Sequence, residues 1–196
     1  MNISNKLTIT RIGLTFVFMI FLFSNGLTAK ILALVTFSIA CWTDFLDGYL
    51  ARKRNEISDF GKFMDPLADK ILVVSALLAF VEMNLVPAWI VVIIVFREFV
   101  ITGLRLRALA RGTNVAAEAV GKYKTVAQMV SIYVVLFFIV FRESSTSIFG
   151  FWNENMESLL RGIIFYMMLF TGILTFISGV SYIVRNKYFF TNAKNS

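Results

Sequence analysis

Four aspartates lie close together in an otherwise strongly apolar chain. Asp44 and Asp47 are three residues apart, and Asp65 and Asp69 are four apart. On a helix, both spacings place the two carboxylates of a pair on one face. A carboxylate inside a bilayer costs about 2.5–3.5 kcal/mol, so four of them require compensating charge. Because hard divalent cations prefer oxygen ligands, the four predict a site for two such cations, an arrangement that serves phosphoryl chemistry.

The composition excludes several other kinds of catalytic site. The sequence contains no His, which rules out imidazole catalysis and His-ligated zinc. Its one cysteine, Cys41, cannot form an intrachain disulfide. Acid–base or metal chemistry must therefore use carboxylates. The alternative for acidic residues here is ion pairing at the membrane surface. We favour it for Glu56 and Asp59, but it explains neither the convergent spacing of the four aspartates nor the glycines beside them.

The composition also predicts the elements that carry these residues. The 196 residues are 58% hydrophobic and include 21 Phe, whereas a soluble domain is about 45–50% apolar. The sequence therefore predicts an all-α integral membrane protein, with one membrane domain covering residues 1–196. Six transmembrane helices can be drawn, each near the length of about 20 residues that a bilayer requires. Their approximate bounds are 9–24, 30–53, 60–83, 87–109, 117–141 and 158–184.

The basic residues predict the orientation of these six helices. Fourteen Lys and Arg fall on one side of the membrane and three, Lys30, Arg142 and Arg161, on the other, with Lys70 and Arg97 inside spans. Because cytoplasmic loops carry the excess of basic residues, both termini are predicted to be cytoplasmic. A net charge of +7 gathered mainly on that side fits an anionic membrane surface better than a nucleic acid partner.

The same topology brings the two aspartate pairs together. Asp44 and Asp47 lie near the cytoplasmic end of the second span, and Asp65 and Asp69 lie near the cytoplasmic start of the third. A short loop joins these spans as an antiparallel hairpin, so the two pairs can face each other at the same depth. The predicted dimetal site therefore lies between spans two and three at the cytoplasmic side.

The residues around the aspartates form a motif. Gly48 and Gly61 lack a Cβ and let a ligand approach closely, and Arg52 can hold a phosphate with two hydrogen bonds. The pattern resembles the signature of the CDP-alcohol phosphotransferases, with all eight positions met: Asp44-x-x-Asp47-Gly48-x-x-Ala51-Arg52, then Gly61-x-x-x-Asp65-x-x-x-Asp69. The resemblance implies a six-span enzyme, usually a homodimer, that uses two Mg²⁺ or Mn²⁺ ions. Such enzymes move a substituted phosphoryl group from a CDP-linked donor to an alcohol and release CMP.

The resemblance also implies roles for individual residues. Asp44, Asp47 and Asp65 are expected to ligate the metals, and Asp69 is expected to share in ligation and to act as the general base. The remaining signature positions are expected to line the nucleotide and diphosphate site, namely Gly48, Ala51, Arg52 and Gly61. Thr8 is a further candidate for the nucleotide, together with Arg11, although anchoring of the first helix at the interface is an equal alternative for both.

Three further segments narrow the resemblance to one branch of the family. REFVITGLR (97–105), GKYKT (121–125) and NKLTITR (5–11) are similar to segments of the bacterial phosphatidylglycerophosphate synthases. With the core signature, the likeness covers most of the chain up to about residue 125. It implies sn-glycerol 3-phosphate as the acceptor, an anion that requires cationic partners.

Four basic residues are candidates for the phosphate of this acceptor. Arg105 and Lys122 are the first choices, because they are expected at the depth of the aspartates. Lys124 ranks below Lys122, since residues two apart on a helix do not share a face. Arg97 falls near the middle of its span, where a charge is costly and usually functional, with Glu98 on a neighbouring helix or an aspartate across the cavity as its expected partner. Membrane anchoring is the alternative for Arg105.

These resemblances imply a metal-dependent enzyme of phospholipid biosynthesis in the cell membrane, with its active site facing the cytoplasm. The expected reaction transfers the phosphatidyl group of CDP-diacylglycerol to sn-glycerol 3-phosphate, among membrane lipids and in a homodimer. Serine, an inositol phosphate or phosphatidylglycerol are alternative acceptors within the same family. From a different class, the aspartates could line a divalent-cation transporter, although a transporter places acidic groups near the midplane with routes to both sides.

Overall fold

The structure is all-helical where it describes the chain. The computed structural model describes residues 3–54, 59–110, 119–145 and 152–185, and the side chains of 9–43, 70–107, 123–145 and 152–185. Within these ranges there are six α-helices and no strand, which confirms the predicted all-α class. The helices are α1 (Ile3–Phe23), α2 (Leu27–Arg54), α3 (Asp59–Glu82), α4 (Ala88–Ala110), α5 (Ala119–Ser144) and α6 (Glu154–Arg185).

Each predicted span coincides with one helix, but the helices differ in how well they could cross a bilayer. Among the described residues, Tyr123–Ser144 and Glu154–Arg185 are long and apolar enough to do so, and Ile9–Phe23 and Leu27–Thr43 are shorter apolar stretches. Large apolar side chains such as Phe16, Trp42 and Phe96 are between 66% and 70% exposed. Soluble monomers rarely expose large apolar patches, so this surface fits a lipid environment. That all six helices cross the membrane stays a prediction.

The interior joins two groups of helices through aromatic and aliphatic side chains. α1 packs against α2 and α3, α6 packs against α4 and α5, and α2 also contacts α5. The rings of Phe18 on α1 and Phe37 on α2 are 5.4 Å apart, and Phe37 meets Tyr133 on α5 edge to face at 5.5 Å. The Tyr133 hydroxyl donates a hydrogen bond to Ser38 Oγ at 3.3 Å. This chain of contacts holds α1, α2 and α5 together.

The three basic residues predicted to lie apart from the others come together at one end of the bundle. Lys30 Nζ donates to the carbonyl oxygens of Leu22 at 2.7 Å and Ser24 at 2.9 Å, and so caps the C-terminus of α1. Lys30 and Arg142 line one cavity of about 300 Å³. A cation at a helix C-terminus stabilises the orphan carbonyls and the helix dipole. We call this end of the bundle the Lys30 end.

A second set of contacts at the Lys30 end joins α6 to two other helices. Arg161 Nη1 donates to the carbonyl of Asn84 in the α3–α4 turn at 2.9 Å, and Arg161 Nε donates to Glu157 Oε1 at 2.9 Å. Arg142, near the end of α5, pairs with the same Glu157 oxygen at 3.4 Å. The Glu157 carboxylate also accepts a bond from Trp152 Nε1 at 2.9 Å. The ends of α1, α3 and α5 and the starts of α2, α4 and α6 therefore all lie at the Lys30 end, so successive helices alternate in direction.

Small residues form one face of α6 against α4 and α5. Thr171, Gly172, Thr175, Ser178 and Gly179 are all buried, at spacings that repeat along one side of the helix. Ser131 of α5 is hydrogen-bonded to Thr171 through the two hydroxyl oxygens, 2.8 Å apart. Small residues allow helix backbones to approach closely, which is how helices commonly associate in membranes. This face positions α6 beside the polar residues described below.

Candidate functional site

The backbone places the two aspartate pairs at the end of the bundle opposite the Lys30 end. Asp44 and Asp47 lie in the last part of α2, which starts at the Lys30 end, and Asp65 and Asp69 lie in the first half of α3, which finishes there. All four positions are helical, so the spacings of three and four do place each pair on one face of its helix. We call this the aspartate end.

Several predicted site residues fall outside the side chains that the structure describes. These are the four aspartates with Thr8, Gly48, Ala51, Arg52, Gly61 and Lys122. Among the side chains that are described, there is no group of three or more His, Cys, Asp or Glu that could hold a metal ion. The dimetal site and the nucleotide site therefore stay predictions.

A cluster of polar side chains joins four helices around one carboxylate. Glu98 of α4 accepts from Lys70 Nζ of α3 at 3.2 Å through its Oε2 atom. Its Oε1 atom accepts from Arg97 Nη1 at 3.2 Å and is ion-paired with Lys124 Nζ of α5. Arg97 reaches α6, where Nη2 donates to Ser178 Oγ at 2.8 Å. We call these five residues the Glu98 junction.

The Glu98 junction is largely withdrawn from solvent. The side chains of Lys70, Arg97 and Glu98 are 16%, 14% and 13% exposed, and that of Lys124 is 4% exposed. Charges interact more strongly in such surroundings than in water, and a charge left there without its partner typically costs about 3–5 kcal/mol. Each of the four charged groups is therefore stabilised by the others. Replacing one of them is expected to alter the contacts that the others make on neighbouring helices.

Arg97 is held by packing as well as by hydrogen bonds. Its aliphatic stem lies against Gly179 of α6, where an added Cβ would come within 2.9 Å of Arg97 Cγ. On α6, Gly179 follows Ser178 directly, so one turn of the helix provides both the space for the stem and the acceptor for the guanidinium. The small residue is needed here for close approach.

The predicted acceptor residues have different surroundings. Arg97 pairs with Glu98 of its own helix, α4, and not with a Glu98 on a neighbouring helix as expected. Lys124, ranked below Lys122, is buried and paired with the same carboxylate. The structure thus brings Arg97 and Lys124 together. Arg105 is exposed, seven residues beyond Glu98 on α4. Arg11 is only 1% exposed, which disfavours the alternative that it anchors the first helix at the interface, because an anchor keeps its charged head in water.

Sequence reasoning did not assign a role to the Glu98 carboxylate as a shared acceptor, nor to Ser178 and Gly179. One signal was available, since Glu98 and Arg97 are charges in the middle of an apolar helix and such residues are usually functional. A second was the repeat of small residues between Thr171 and Gly179, which predicts a helix contact. Neither signal predicts which helix these residues contact.

Gly179→Ala is expected to destabilise the protein relative to Gly162→Ala. The new methyl group at 179 meets Arg97 Cγ, whereas nothing lies within 4 Å of a Cβ at 162. Both changes lie in α6 and replace Gly by Ala, so both gain the same helix propensity. The difference between them therefore measures the contact of the new methyl group with Arg97. Overpacking typically costs about 1–3 kcal/mol, so Gly179→Ala should lose helical circular dichroism at a temperature several degrees lower. Equal unfolding temperatures would show that Arg97 moves aside at no cost.

Comparison with known proteins identifies the family of this chain. The sequence model described as CDP-alcohol phosphatidyltransferase matches residues 1–177. A Bacillus subtilis protein named CDP-diacylglycerol–glycerol-3-phosphate 3-phosphatidyltransferase is 44% identical over 147 residues, which are 69% of this chain and 76% of that protein. A Rickettsia bellii protein of the same name is 32% identical over 191 residues, 96% of this chain and 97% of the relative.

A third relative extends the same pattern to a distant bacterium. A Mycobacterium tuberculosis protein named probable phosphatidylglycerophosphate synthase is 40% identical over 134 residues, which are 67% of this chain and 64% of that protein. The matched region of the family model includes all four aspartates and the whole of the Glu98 junction except Ser178. The chain belongs to the CDP-alcohol phosphatidyltransferase family.

Proposed function

We propose that this chain transfers the phosphatidyl group of CDP-diacylglycerol to sn-glycerol 3-phosphate, releasing CMP and forming phosphatidylglycerophosphate. The observation that carries this proposal is the similarity to the Rickettsia bellii enzyme of that name, which extends over 96% of this chain and 97% of the relative. The 191 matched residues include the aspartate motif and also the segments between 97 and 125 that carry the candidate acceptor-binding residues.

In the proposed reaction, a hydroxyl oxygen of sn-glycerol 3-phosphate forms a bond to the phosphorus that carries diacylglycerol. The bond from this phosphorus to the CMP oxygen breaks, and the hydroxyl proton passes to Asp69 as the general base. A hydroxyl group is a weak nucleophile until its proton has an acceptor, so Asp69 must lie within hydrogen-bonding distance of it. Its place on α3, one turn after Asp65 on the same helix face, supports this role.

We propose that Asp44, Asp47, Asp65 and Asp69 hold two divalent cations, Mg²⁺ or Mn²⁺. The support is the set of four carboxylates on two helices whose aspartate-bearing parts lie at the same end of the bundle. When bound, the cations would polarise the phosphorus and stabilise the charge on the departing CMP. Gly48, Ala51, Arg52, Gly61 and Thr8 are the proposed residues around the nucleotide and diphosphate.

The acceptor phosphate is proposed to bind Arg105, Lys122, Lys124 and Arg97. Arg97 and Lys124 already share one carboxylate, and Arg105 is exposed on the same helix as Arg97. Serine carries no phosphate, so it would make these cations unnecessary, which supports sn-glycerol 3-phosphate over serine.

The remaining parts of the proposal concern the setting of the reaction. We place the enzyme in the cell membrane with the aspartate end facing the cytoplasm, because the aspartate end is opposite the Lys30 end and basic residues are scarce at the latter. The exposed apolar surface of the helices would contact membrane lipids, from which the donor enters. The resemblance to the family favours a homodimer.

The proposal is tested by measuring CMP release from CDP-diacylglycerol by the purified protein in detergent with Mg²⁺. Parallel reactions contain sn-glycerol 3-phosphate, serine, an inositol phosphate or phosphatidylglycerol. Release that depends on sn-glycerol 3-phosphate, with phosphatidylglycerophosphate as the lipid product, is the expected result. Release with a different acceptor would keep the reaction class and overturn the acceptor, and no release with any acceptor would overturn the enzyme assignment.

A further inference from the structure

Glu98 occupies a position that the reaction described so far leaves without a role. Its carboxylate receives cationic groups from three helices, with Lys70 on one oxygen and Arg97 and Lys124 on the other. A carboxylate repels a phosphate, so Glu98 is not itself suited to bind the phosphate groups of either substrate. It can, however, determine where the three cations lie.

We propose that Glu98 is a positioning residue for the acceptor. In this view its carboxylate gathers Lys70, Arg97 and Lys124 so that they bind the phosphate of sn-glycerol 3-phosphate together. The inference rests on the proposed function for the identity of the acceptor. It adds Lys70 to the candidate acceptor site and gives Glu98 and Ser178 a role that acts through the cations.

Three cations from different helices lie around the Glu98 carboxylate. Lys70, Arg97 and Lys124 come from α3, α4 and α5, and each has a nitrogen within ion-pairing distance of Glu98. Cationic groups bonded to one small carboxylate are necessarily close to one another. A phosphate group has several acceptor oxygens, and it binds most strongly when more than one charged donor can reach it.

The three cations differ in how far they are buried. Lys70 and Arg97 keep 16% and 14% of their side-chain surface exposed, whereas Lys124 keeps 4%. In the proposed site, the acceptor phosphate approaches from the side of Lys70 and Arg97, and the buried Lys124 adds its charge to theirs. The Ser178 hydroxyl accepts a hydrogen bond from Arg97 Nη2 at 2.8 Å and so helps to fix the guanidinium. Groups fixed in advance lose less entropy when a ligand binds.

Without the Glu98 carboxylate, the three cations lose the group that holds them together. Three cations of like charge would repel each other in a partly buried site, and the long Lys and Arg side chains could separate. The acceptor phosphate would then have to bring them together, which weakens its binding even though the net positive charge has risen. Loss of the carboxylate is therefore expected to raise the KM for the acceptor, whereas a simple gain of positive charge would lower it.

The test compares the two KM values of the full-length protein in CMP release. Glu98→Gln keeps the size of the side chain but removes its charge, and Glu82→Gln, an exposed residue at the end of α3, is the matched control. We expect Glu98→Gln to raise the KM for sn-glycerol 3-phosphate about tenfold, with the KM for CDP-diacylglycerol within about twofold of the native value. Glu98→Asp, which keeps the charge, should recover most of this loss, and Glu82→Gln should match the native protein.

A double-mutant cycle with Lys124→Met tests whether Glu98 acts through a cation. If it does, Glu98→Gln should raise the acceptor KM by a smaller factor in the Lys124→Met protein than in the native protein, since coupled residues are not additive. Independent effects that multiply would overturn the inference. So would a lower acceptor KM in Glu98→Gln, or equal changes in both KM values, which would indicate a purely structural role.

If Glu98→Gln does not fold, a milder variant, Ser178→Ala, tests the same inference. Ser178→Ala retains every charge of the junction and removes only the hydrogen bond with Arg97. It is expected to raise the acceptor KM about threefold without changing the donor KM, and an unchanged acceptor KM would contradict the inference. An error in the proposed function would be recognised separately, because the native protein would then release no CMP with sn-glycerol 3-phosphate.

Discussion

Replacing Asp69 by asparagine is expected to lower kcat by a factor of about 10²–10⁴, the usual contribution of a general base. Asparagine has nearly the same size as aspartate, but its amide cannot accept the proton of the acceptor hydroxyl. Donor binding should be largely retained. Three other aspartates remain to hold the proposed cations, and Arg52 remains to contact the diphosphate. The measurement is the rate of CMP release at saturating substrates, together with binding of CDP-diacylglycerol to the purified variant.

Asp59→Asn is the matched control for this experiment. Asp59 is the first residue of α3 and lies on the same helix as Asp69, but its assigned role is ion pairing at the membrane surface. It should therefore retain native turnover. Native turnover in Asp69→Asn as well would remove Asp69 from the role of general base. Loss of donor binding together with turnover would assign it to metal ligation instead.

Removal of divalent cations is expected to abolish CMP release. Four carboxylates at one end of the bundle repel each other unless cations lie between them. The leaving CMP is also negatively charged, and without metal ions only the Arg and Lys side chains could neutralise it. Activity lost in a chelator should return with Mg²⁺ or Mn²⁺. Turnover that persists in excess chelator would contradict the two-cation proposal and leave catalysis to the basic residues.

A binding measurement separates this prediction from loss of activity for other reasons. Free Mn²⁺ can be followed by electron paramagnetic resonance as protein is added, without any turnover. Two bound ions per chain are expected for the native protein, and Asp44→Asn or Asp47→Asn should bind them more weakly. Asp59→Asn should bind as the native protein does. Equal binding by all of these variants would place the cations elsewhere.

The sequence predicted the helices better than it predicted their partners. Apolar runs of about 20 residues mark the helices whichever way the helices pack, so the six predicted segments coincide with α1 to α6. The structure also brings Lys30, Arg142 and Arg161, which the positive-inside pattern set apart from the other basic residues, to one end of the bundle, because successive helices alternate in direction. Their side of the membrane stays a prediction. That these three cap helix ends or share Glu157 was not predictable, because it depends on which helix ends meet.

The Glu98 junction shows the same limit at the candidate site. Spacing along one helix predicts which residues share a face, and it ranked Lys124 below Lys122 for that reason. It contains no information on contacts such as Lys70 with Glu98 or Arg97 with Ser178, which are 28 and 81 residues apart. The resemblance to a family supplied the roles of the aspartates, but Ser178 lies just beyond the region that the family model matches.

On the prediction that α3 and α4 span the membrane, the contact between Lys70 and Glu98 also bears on the order in which the nascent chain enters the bilayer. On the insertion scale, one charged residue near the centre of a helix costs about 2.5–3.5 kcal/mol, and α4 carries two such residues close to its midpoint. α3 and α4 are joined by a short turn between Glu82 and Ala88, so Lys70 and Glu98 can neutralise each other as a hairpin before α5 has been synthesised. The two helices are therefore expected to leave the translocon as a pair, with Lys124 joining them only when α5 follows.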